Sequence, residues 1–300
     1  MDNYLINTLA YKKRARVIFA EMTDLIRAVR NQGSTNKMLN AGFAELVAAM
    51  CLMAGPIDST ERIQLKITGD NPDKNMIGSL EGTGNVRGFI GDAFEKRIPD
   101  NIGNGSIFGK RGSVSVRRDT GDFSGYTGVT EAKYKSIAKN LEYYYIKSEQ
   151  LPTYLQLFIP KSNVQAARGV MLQLLPGEPK SIIADFNDMV QEKKDLFFDP
   201  AFTIDWKNLQ DKFFSDLAYM TTKALQYQCA CTRDMYYGVI FSLSPQEIDE
   251  IVKTKQVLEA HCSMCGKQYL FTHEEVAGLF GIPLQEPSKQ KSIPHPKLFR

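Results

Sequence analysis

The sequence predicts an α+β protein: a mixed sheet-and-helix N-terminal domain, a helical linker, and a small C-terminal metal-binding module. Three observations carry this. Hydrophobic periodicity switches between about 3.6 and 2 along residues 1–178, which reads as helices interleaved with turn-linked strands. Pro176-Gly177-Glu178-Pro179 then breaks the pattern, and two apolar helical stripes follow. Four of the five cysteines fall late in the chain as C-x-C and C-x-x-C.

In order, Asp24–Arg30 reads as a short helix, with Thr23 as cap and Gly33 as stop. Asn36–Ala54 reads as a longer amphipathic helix ended by Gly55-Pro56. Ile63, Leu65 and Ile67 alternate into the turn Gly69-Asp70-Asn71-Pro72. Further strands are expected at Met76–Leu80, Val86–Ile90, Ser113–Arg117, Tyr126–Thr130, Tyr154–Ile159 and Gly169–Leu174, with a helix at Ile137–Lys147. Beyond the break, one stripe runs through Ile182, Ile183, Phe186, Met189 and Val190. A second runs through Trp206, Leu209, Phe213, Leu217 and Met220. Each has a charged opposite face, and the segment is too short to own a core, so its helices must dock on a neighbour. In the last part, Ser244-Pro245-Gln246-Glu247 is a capping box with Pro at the first helical position. Val257–His261 and Gln268–Phe271 flank the C-x-x-C turn as strands, and Thr272 with Glu275 opens another helix. The tail from Glu286 is rich in Pro and Lys and is expected to be disordered.

Composition narrows function. The chain has 300 residues, 43% hydrophobic and 24% charged, which is ordinary for a globular protein and large enough to bury a core without disulfides. Net charge is only +3, and residues 226–300, which hold the cysteine pairs, balance to zero. Nucleic-acid binding, which rests on phosphate contacts, is therefore disfavoured. No apolar run reaches 18 residues and the first ten residues lack a signal-peptide pattern, so a cytoplasmic, thiol-reducing location and no membrane partner are expected.

Cys229, Cys231, Cys262 and Cys265 are candidate metal ligands. Zn²⁺ takes four soft ligands in a tetrahedron. Gly266 allows a tight turn after the C-x-x-C pair, and side chains two apart, as in Cys229 and Cys231, share a face of an extended segment. The competing reading is four thiols that merely cluster as buried apolar residues. His261 and His273 could each replace a thiolate, although His261, adjacent to a ligand, is expected to face away. Cys51 lies in the Asn36–Ala54 helix and reads as a small core residue. The C-terminal unit has only about 75 residues, where a core alone yields a few kcal/mol, whereas structural zinc supplies ~10–16 kcal/mol in peptides. Its fold should depend on the metal.

Other motifs fail. Gly105-Ser-Ile-Phe-Gly109-Lys110 has one residue too few between its glycines for a phosphate loop, and Arg111 stands where Ser or Thr should hold magnesium. Gly82, Gly84 and Gly88 have the wrong spacing for a dinucleotide loop; both groups read as hairpin turns. Lys12, Lys13, Arg14 and Arg16 read as a solvated helix face or N-terminal arm. Every histidine lies after residue 260, which removes a histidine base from the large domain.

Three functions compete: a zinc-ribbon nucleic-acid binder, an enzyme in residues 1–178 using carboxylates such as Asp70, Glu81 and Asp92, and a thiol switch. The sequence pairs none of those carboxylates, and the chain is expected not to be an enzyme. The switch has a physical basis. A tetrathiolate zinc site carries a formal charge of −2 and is open to oxidants, and thiols two or three residues apart can form disulfides with little loop closure. Oxidation removes the ligands and with them most of what folds the unit, and exposed apolar stripes are interaction sites.

Tyr143-Tyr-Tyr-Ile-Lys-Ser-Glu-Gln-Leu-Pro152, Gly169-Val-Met-Leu-Gln-Leu-Leu-Pro176, Gly69-Asp70 and Gly84-Asn-Val-Arg-Gly88 resemble signature stretches of the 33 kDa chaperonin family, the redox-regulated heat-shock holdases. So does the cysteine pattern with Gly266 and Tyr269-Leu-Phe271, and the resemblance runs over nearly the whole chain. It implies a client-binding and dimerising core over residues 1–178, a metastable linker over 179–225, a redox-switch domain over 226–285 and a flexible tail over 286–300. It implies one Zn²⁺ on the four cysteines of a reduced, largely inactive monomer. Oxidation would join Cys229 to Cys231 and Cys262 to Cys265, release zinc, unfold the linker and produce an active dimer. That form would hold unfolding client proteins without ATP and pass them to foldase chaperones.

Overall fold

The structure is a computed structural model and describes residues 2–32, 34–91, 93–94, 107–109, 111–121, 124–229, 231–262 and 267–283. Gly33, Asp92, Gly105, Lys110, Cys265, Gly266 and the tail from Glu286 lie outside the described residues. The chain divides into two compact units, Met1–Cys229 and Ala230–Arg300.

Two sheets build the first unit. One has strand order β10-β1-β2-β9-β8, formed by β1 (Tyr4–Ala10), β2 (Ala15–Glu21), β8 (Thr153–Phe158), β9 (Arg168–Leu174) and β10 (Ala218–Ala224), all antiparallel. The other has order β11-β5-β4-β3-β6-β7. Its strands are β3 (Arg62–Thr68), β4 (Asn75–Glu81), β5 (Asn85–Ile90), β6 (Ser113–Asp119), β7 (Gly125–Glu131) and the short β11 (Gln226–Tyr227), which joins β5 in parallel. Helices α1 (Thr23–Gln32), α2 (Lys37–Met53) and α3 (Ile137–Ser148) accompany them.

α2 starts where Asn36 caps the backbone N–H groups of Met38 and Leu39. It is not the half-exposed helix the sequence predicts: every residue from Leu46 to Met53 is buried. A helix that is apolar all round needs cover on all sides, and α2 packs on strands of both sheets as well as on α1 and α3. The close approach depends on Gly78 of β4, where a Cβ would overlap the Met50 sulfur. Gly88, expected in a turn, lies instead inside β5 opposite Gly78, where a Cβ would press on the Ile77 carbonyl and the Phe43 ring. Gly84 does occupy the predicted hairpin turn, with φ +98°. The Thr23 hydroxyl is not a helix cap either; it binds the Glu21 carboxylate and the Ala167 N–H.

The basic run at residues 12–16 is neither a helix face nor an arm. Tyr11, Lys12 and Lys13 form the left-handed tip of the β1–β2 hairpin, at φ +55°, +57° and +65°. Arg14 N–H closes the turn on the Ala10 carbonyl at 3.0 Å. β1 and β2 are almost wholly buried, because their sheet is covered on both faces. One face joins the main core with α2. The other, with Ile6, Val17, Phe19, Val170 and Leu172, forms a second core with Ile182, Phe186, Val190, Phe197, Leu209 and Leu217.

Those last residues come from the segment after Pro179: α4 (Ser181–Glu192), α5 (Lys194–Phe198) and α6 (Trp206–Lys212). The first stripe is helical as predicted, and its apolar face is docked. The second is shorter than predicted. α6 ends at Lys212, and Leu217 and Met220 are not helical; Ala218–Ala224 is strand β10, hydrogen-bonded to β1. Tyr219, Thr221 and Thr222 suit a strand, and the edge of β1 supplies backbone partners that a helix there would leave unpaired.

The second unit holds a 3₁₀ turn (Arg233–Tyr236), α7 (Tyr237–Phe241), α8 (Pro245–Thr254), the hairpin β12 (Leu258–His261) and β13 (Gln268–Phe271), and α9 (His273–Leu279). Both predicted capping boxes form, Ser244 with Glu247 and Thr272 with Glu275.

Candidate metal centre

Two short segments carry the described cysteines. Cys229 lies two residues after β11, and Cys231 two residues before the 3₁₀ turn. Cys262 leaves β12, and its N–H bonds the Lys267 carbonyl at 2.8 Å, which closes the turn back into β13. This arrangement brings the sulfurs of Cys229, Cys231 and Cys262 within 4.8 Å of one another. Two sulfurs on one tetrahedral zinc, each at about 2.3 Å, stand about 3.8 Å apart. The three thiols therefore fit one soft cation, with Cys262 buried and the other two half-buried. Cys265 is the remaining predicted ligand, and the structure does not describe it.

His261 is not in the group: its side chain is exposed, 3.8 Å from the Glu259 carboxylate. His273 stands beside Glu274 at 3.0 Å. Cys51 is fully buried in α2, and burial pushes its thiol well above the usual range, as suits a packing residue. Of the carboxylates considered for an enzyme, the two that are described are not gathered. Asp70 and Glu81 stand at opposite ends of the β3–β4 hairpin, Asp70 near Lys74 and Glu81 bound to Arg87 at 2.6 Å.

Side chains around the sulfurs fix the hairpin. On β13, Tyr269 and Phe271 share the buried face, as period-2 alternation requires. The Tyr269 hydroxyl donates toward the Cys231 carbonyl at 2.8 Å and lies 3.1 Å from its Sγ. The Arg233 guanidinium lies over the Phe271 ring, 4.3 Å from its centroid. It also donates to the Leu270 carbonyl and the Glu275 carboxylate, which lowers the Glu275 pKa chiefly through that hydrogen bond. Sequence reasoning did not single out Arg233; a lone arginine carries no spacing signal.

Among the described residues no helix is long and apolar enough to cross a membrane. The two-sheet first unit joined to a small cysteine-bearing second unit defines a class of protein, and comparison identifies it. The family model described as Hsp33 protein matches residues 3–272, and the chain belongs to the Hsp33 family. It is 26% identical over 289 residues to the 33 kDa chaperonin of Bacillus pumilus (strain SAFR-032), covering 92% of this chain and 98% of that one. It is 25% identical to the 33 kDa chaperonin of Caldanaerobacter subterraneus subsp. tengcongensis, covering 93% and 98%. Its fold is similar to the crystal structure of the 33 kDa chaperonin (heat shock protein 33 homolog) of Thermotoga maritima. There the TM-score is 0.73 at 18% identity, covering 94% of this chain and 98% of that one.

Proposed function

We propose that this protein is a redox-regulated, ATP-independent holdase that keeps unfolding proteins from aggregating under oxidative and heat stress in the cytoplasm. The observation that carries the proposal is the convergence of Cys229, Cys231 and Cys262 in a chain of the Hsp33 family. In the reduced monomer these three and Cys265 hold one Zn²⁺, whose part is to pin two distant segments together as thiolates. Oxidation to the pairs Cys229–Cys231 and Cys262–Cys265 takes all four ligands away, and the small second unit loses its main source of folding energy.

The linker, residues 179–225, is the element that responds. Its apolar stripes cover the second core on the first sheet, and its end reaches Cys229 through the two-residue strand β11 alone. Unfolding from residue 226 onward takes β11 off β5 and leaves the pairing of β10 with β1 as the hold on that end. Release of the linker bares Phe19, Phe158, Val170 and Leu172 together with its own Phe186 and Phe197, an apolar surface of the kind that captures unfolding chains. On this reading residues 1–178 form the client-binding and dimerising domain, the active form is a homodimer, and clients pass to foldase chaperones.

The test is suppression of thermal aggregation of a client by reduced and peroxide-treated protein, with zinc release followed in parallel. The oxidised form should suppress, the reduced form should not, and a reductant should reverse the disulfides. Equal suppression by both forms removes the switch; a reduced protein without zinc removes the centre.

A further inference from the structure

Tyr269 brings a hydroxyl to a cysteine sulfur of the cluster, and the switch reading leaves it without a task. Its hydroxyl lies 3.1 Å from Cys231 Sγ and 2.8 Å from the Cys231 carbonyl. The ring cannot easily swing away. Tyr269 is only 8% exposed, and its backbone is paired with Ala260 across the hairpin. Tyr236 packs on one side at 5.1 Å, and the Lys267 ammonium stands 5.2 Å from the ring centroid. A phenol O–H so placed can donate to a sulfur lone pair, the electron pair that an oxidant must reach.

From this contact we propose that Tyr269 sets the oxidation threshold of the switch, as a positioning residue acting on Cys231. The inference rests on the redox reading above. With hydrogen peroxide as oxidant, a thiolate attacks one peroxide oxygen, the O–O bond breaks, and a sulfenic acid and hydroxide form. The second thiolate of the pair attacks that sulfenic sulfur and expels a second hydroxide. Two thiolates and one peroxide thus give one disulfide and two hydroxides, which two protons convert to water. Both steps draw on thiolate lone pairs, whether Cys231 attacks first or second. A hydrogen bond to its sulfur lowers the energy of that pair and slows the closing of the C-x-C disulfide; outer-shell donors tune metal-thiolate centres in the same way. The phenol has a single proton, which the Cys231 carbonyl at 2.8 Å and Sγ at 3.1 Å share as a three-centre bond, and a charged thiolate is the stronger acceptor of the two.

The experiment compares the full-length wild type with Tyr269→Phe, which keeps the ring and removes the donor, and with Phe271→Leu, which loosens the same strand and keeps the donor. Two readouts are taken: the rate of zinc release under peroxide, and the sulfur-to-metal charge-transfer band of the cobalt-substituted, unoxidised protein. Tyr269→Phe should release zinc about fivefold faster, the factor expected from one ordinary hydrogen bond, and its band should move to lower energy. Phe271→Leu should leave the band where it is. An unchanged rate and band in Tyr269→Phe overturn the proposal, as does a band that moves equally in Phe271→Leu. A Tyr269→Phe protein unable to load metal also overturns it, because the tyrosine then serves assembly and not tuning. Wild-type protein that keeps its zinc under peroxide brings down the switch reading itself, a result distinct from the others.

Discussion

Replacing Arg168 with methionine should undock the segment after Pro179 while leaving the two sheets folded. Arg168 opens β9 directly across from Glu21, the last residue of β2. Both side chains are almost completely buried, and Nε meets the carboxylate at 2.7 Å. The remaining donors all go to one stretch of backbone. Nη1 reaches the carbonyls of Leu196, Phe197 and Asp199 at 3.0, 3.3 and 2.8 Å, and Nη2 reaches that of Phe202. One guanidinium thus ties residues 196–202, the end of α5 and the loop after it, to the sheet. Arg168→Met keeps the apolar stem but leaves Glu21 buried without a cation and four carbonyls without this donor. Removing one partner of a buried ion pair costs about 3–5 kcal/mol. The sheets need not open to relieve that cost, because lifting the segment rehydrates the carbonyls and the carboxylate. The cost should therefore appear as local opening. Hydrogen exchange at Phe202 and Leu209, whose N–H groups bond Asp199 and Asp205, should accelerate by about 100-fold or more. Strands β3 and β4 should keep their protection. Adding Glu21→Gln should recover the part due to the stranded carboxylate. On the proposed function, reduced Arg168→Met should also suppress client aggregation without oxidant. Uniform acceleration across all strands, or none at residues 196–209, would refute the reasoning.

Three further outcomes follow from the same coordinates. Cys262→Ser should weaken metal binding by more than the ~10–100-fold typical of losing an outer-shell partner, read by metal analysis after competition with a chelator. Burial raises the pKa values of Cys51, Tyr144 and Tyr145 above their ordinary 9.0, 10.0 and 10.0. The neutral forms are favoured in the folded protein, so stability is intact below pH 9 and falls as pH climbs through these ordinary values. The melting temperature should drop between pH 9 and 11, with the onset delayed in Cys51→Ala; a flat profile contradicts this. Gly78→Ala should cost about 1–3 kcal/mol by forcing α2 off β4, read as a lowered denaturant midpoint with metal content unchanged.

What the sequence made legible follows from which signals are local. Strands β3 to β6 face the core on one side only, so Ile63, Leu65 and Ile67 alternate visibly, and the limits of β3 to β7 are right to within two residues. β1 and β2 are buried on both faces, and their near-continuous apolar runs carry no period to read. α2 fails differently: its helical spacing is plain and Cys51 reads as core, yet the spacing cannot say that the side with Ala48 and Ala49 is covered as well. β10 is a tertiary effect, because a stretch that continues the α6 stripe is claimed by the free edge of β1. The cysteine spacing pointed to Cys229, Cys231 and Cys262, which do converge, because C-x-C and C-x-x-C intervals suit ligand geometry; Cys265 lies outside the described residues. Arg168 and Tyr269 act across 147 and 38 residues of chain respectively, and no interval encodes that.

The two units differ in what holds them. The first has two continuous cores, one of them organised around a helix that is buried on all sides. The second buries Ile240, Ile248, Ile251, Tyr269, Phe271, Val276 and Ala277, while Met235, Val239, Phe241 and Leu270 each stay about half exposed or more. Among the described residues these buried side chains offset only part of the ordering entropy, and two capping boxes add only about 1 kcal/mol each. On the proposed function the balance comes from a soft cation, which the converging thiolates of Cys229, Cys231 and Cys262 could hold. A chelator should accordingly unfold residues 230–283 and leave the first unit's sheets protected from exchange. If the second unit stays equally protease-resistant after its metal has been stripped, the cysteines are not what folds it, and oxidising them could not operate a switch.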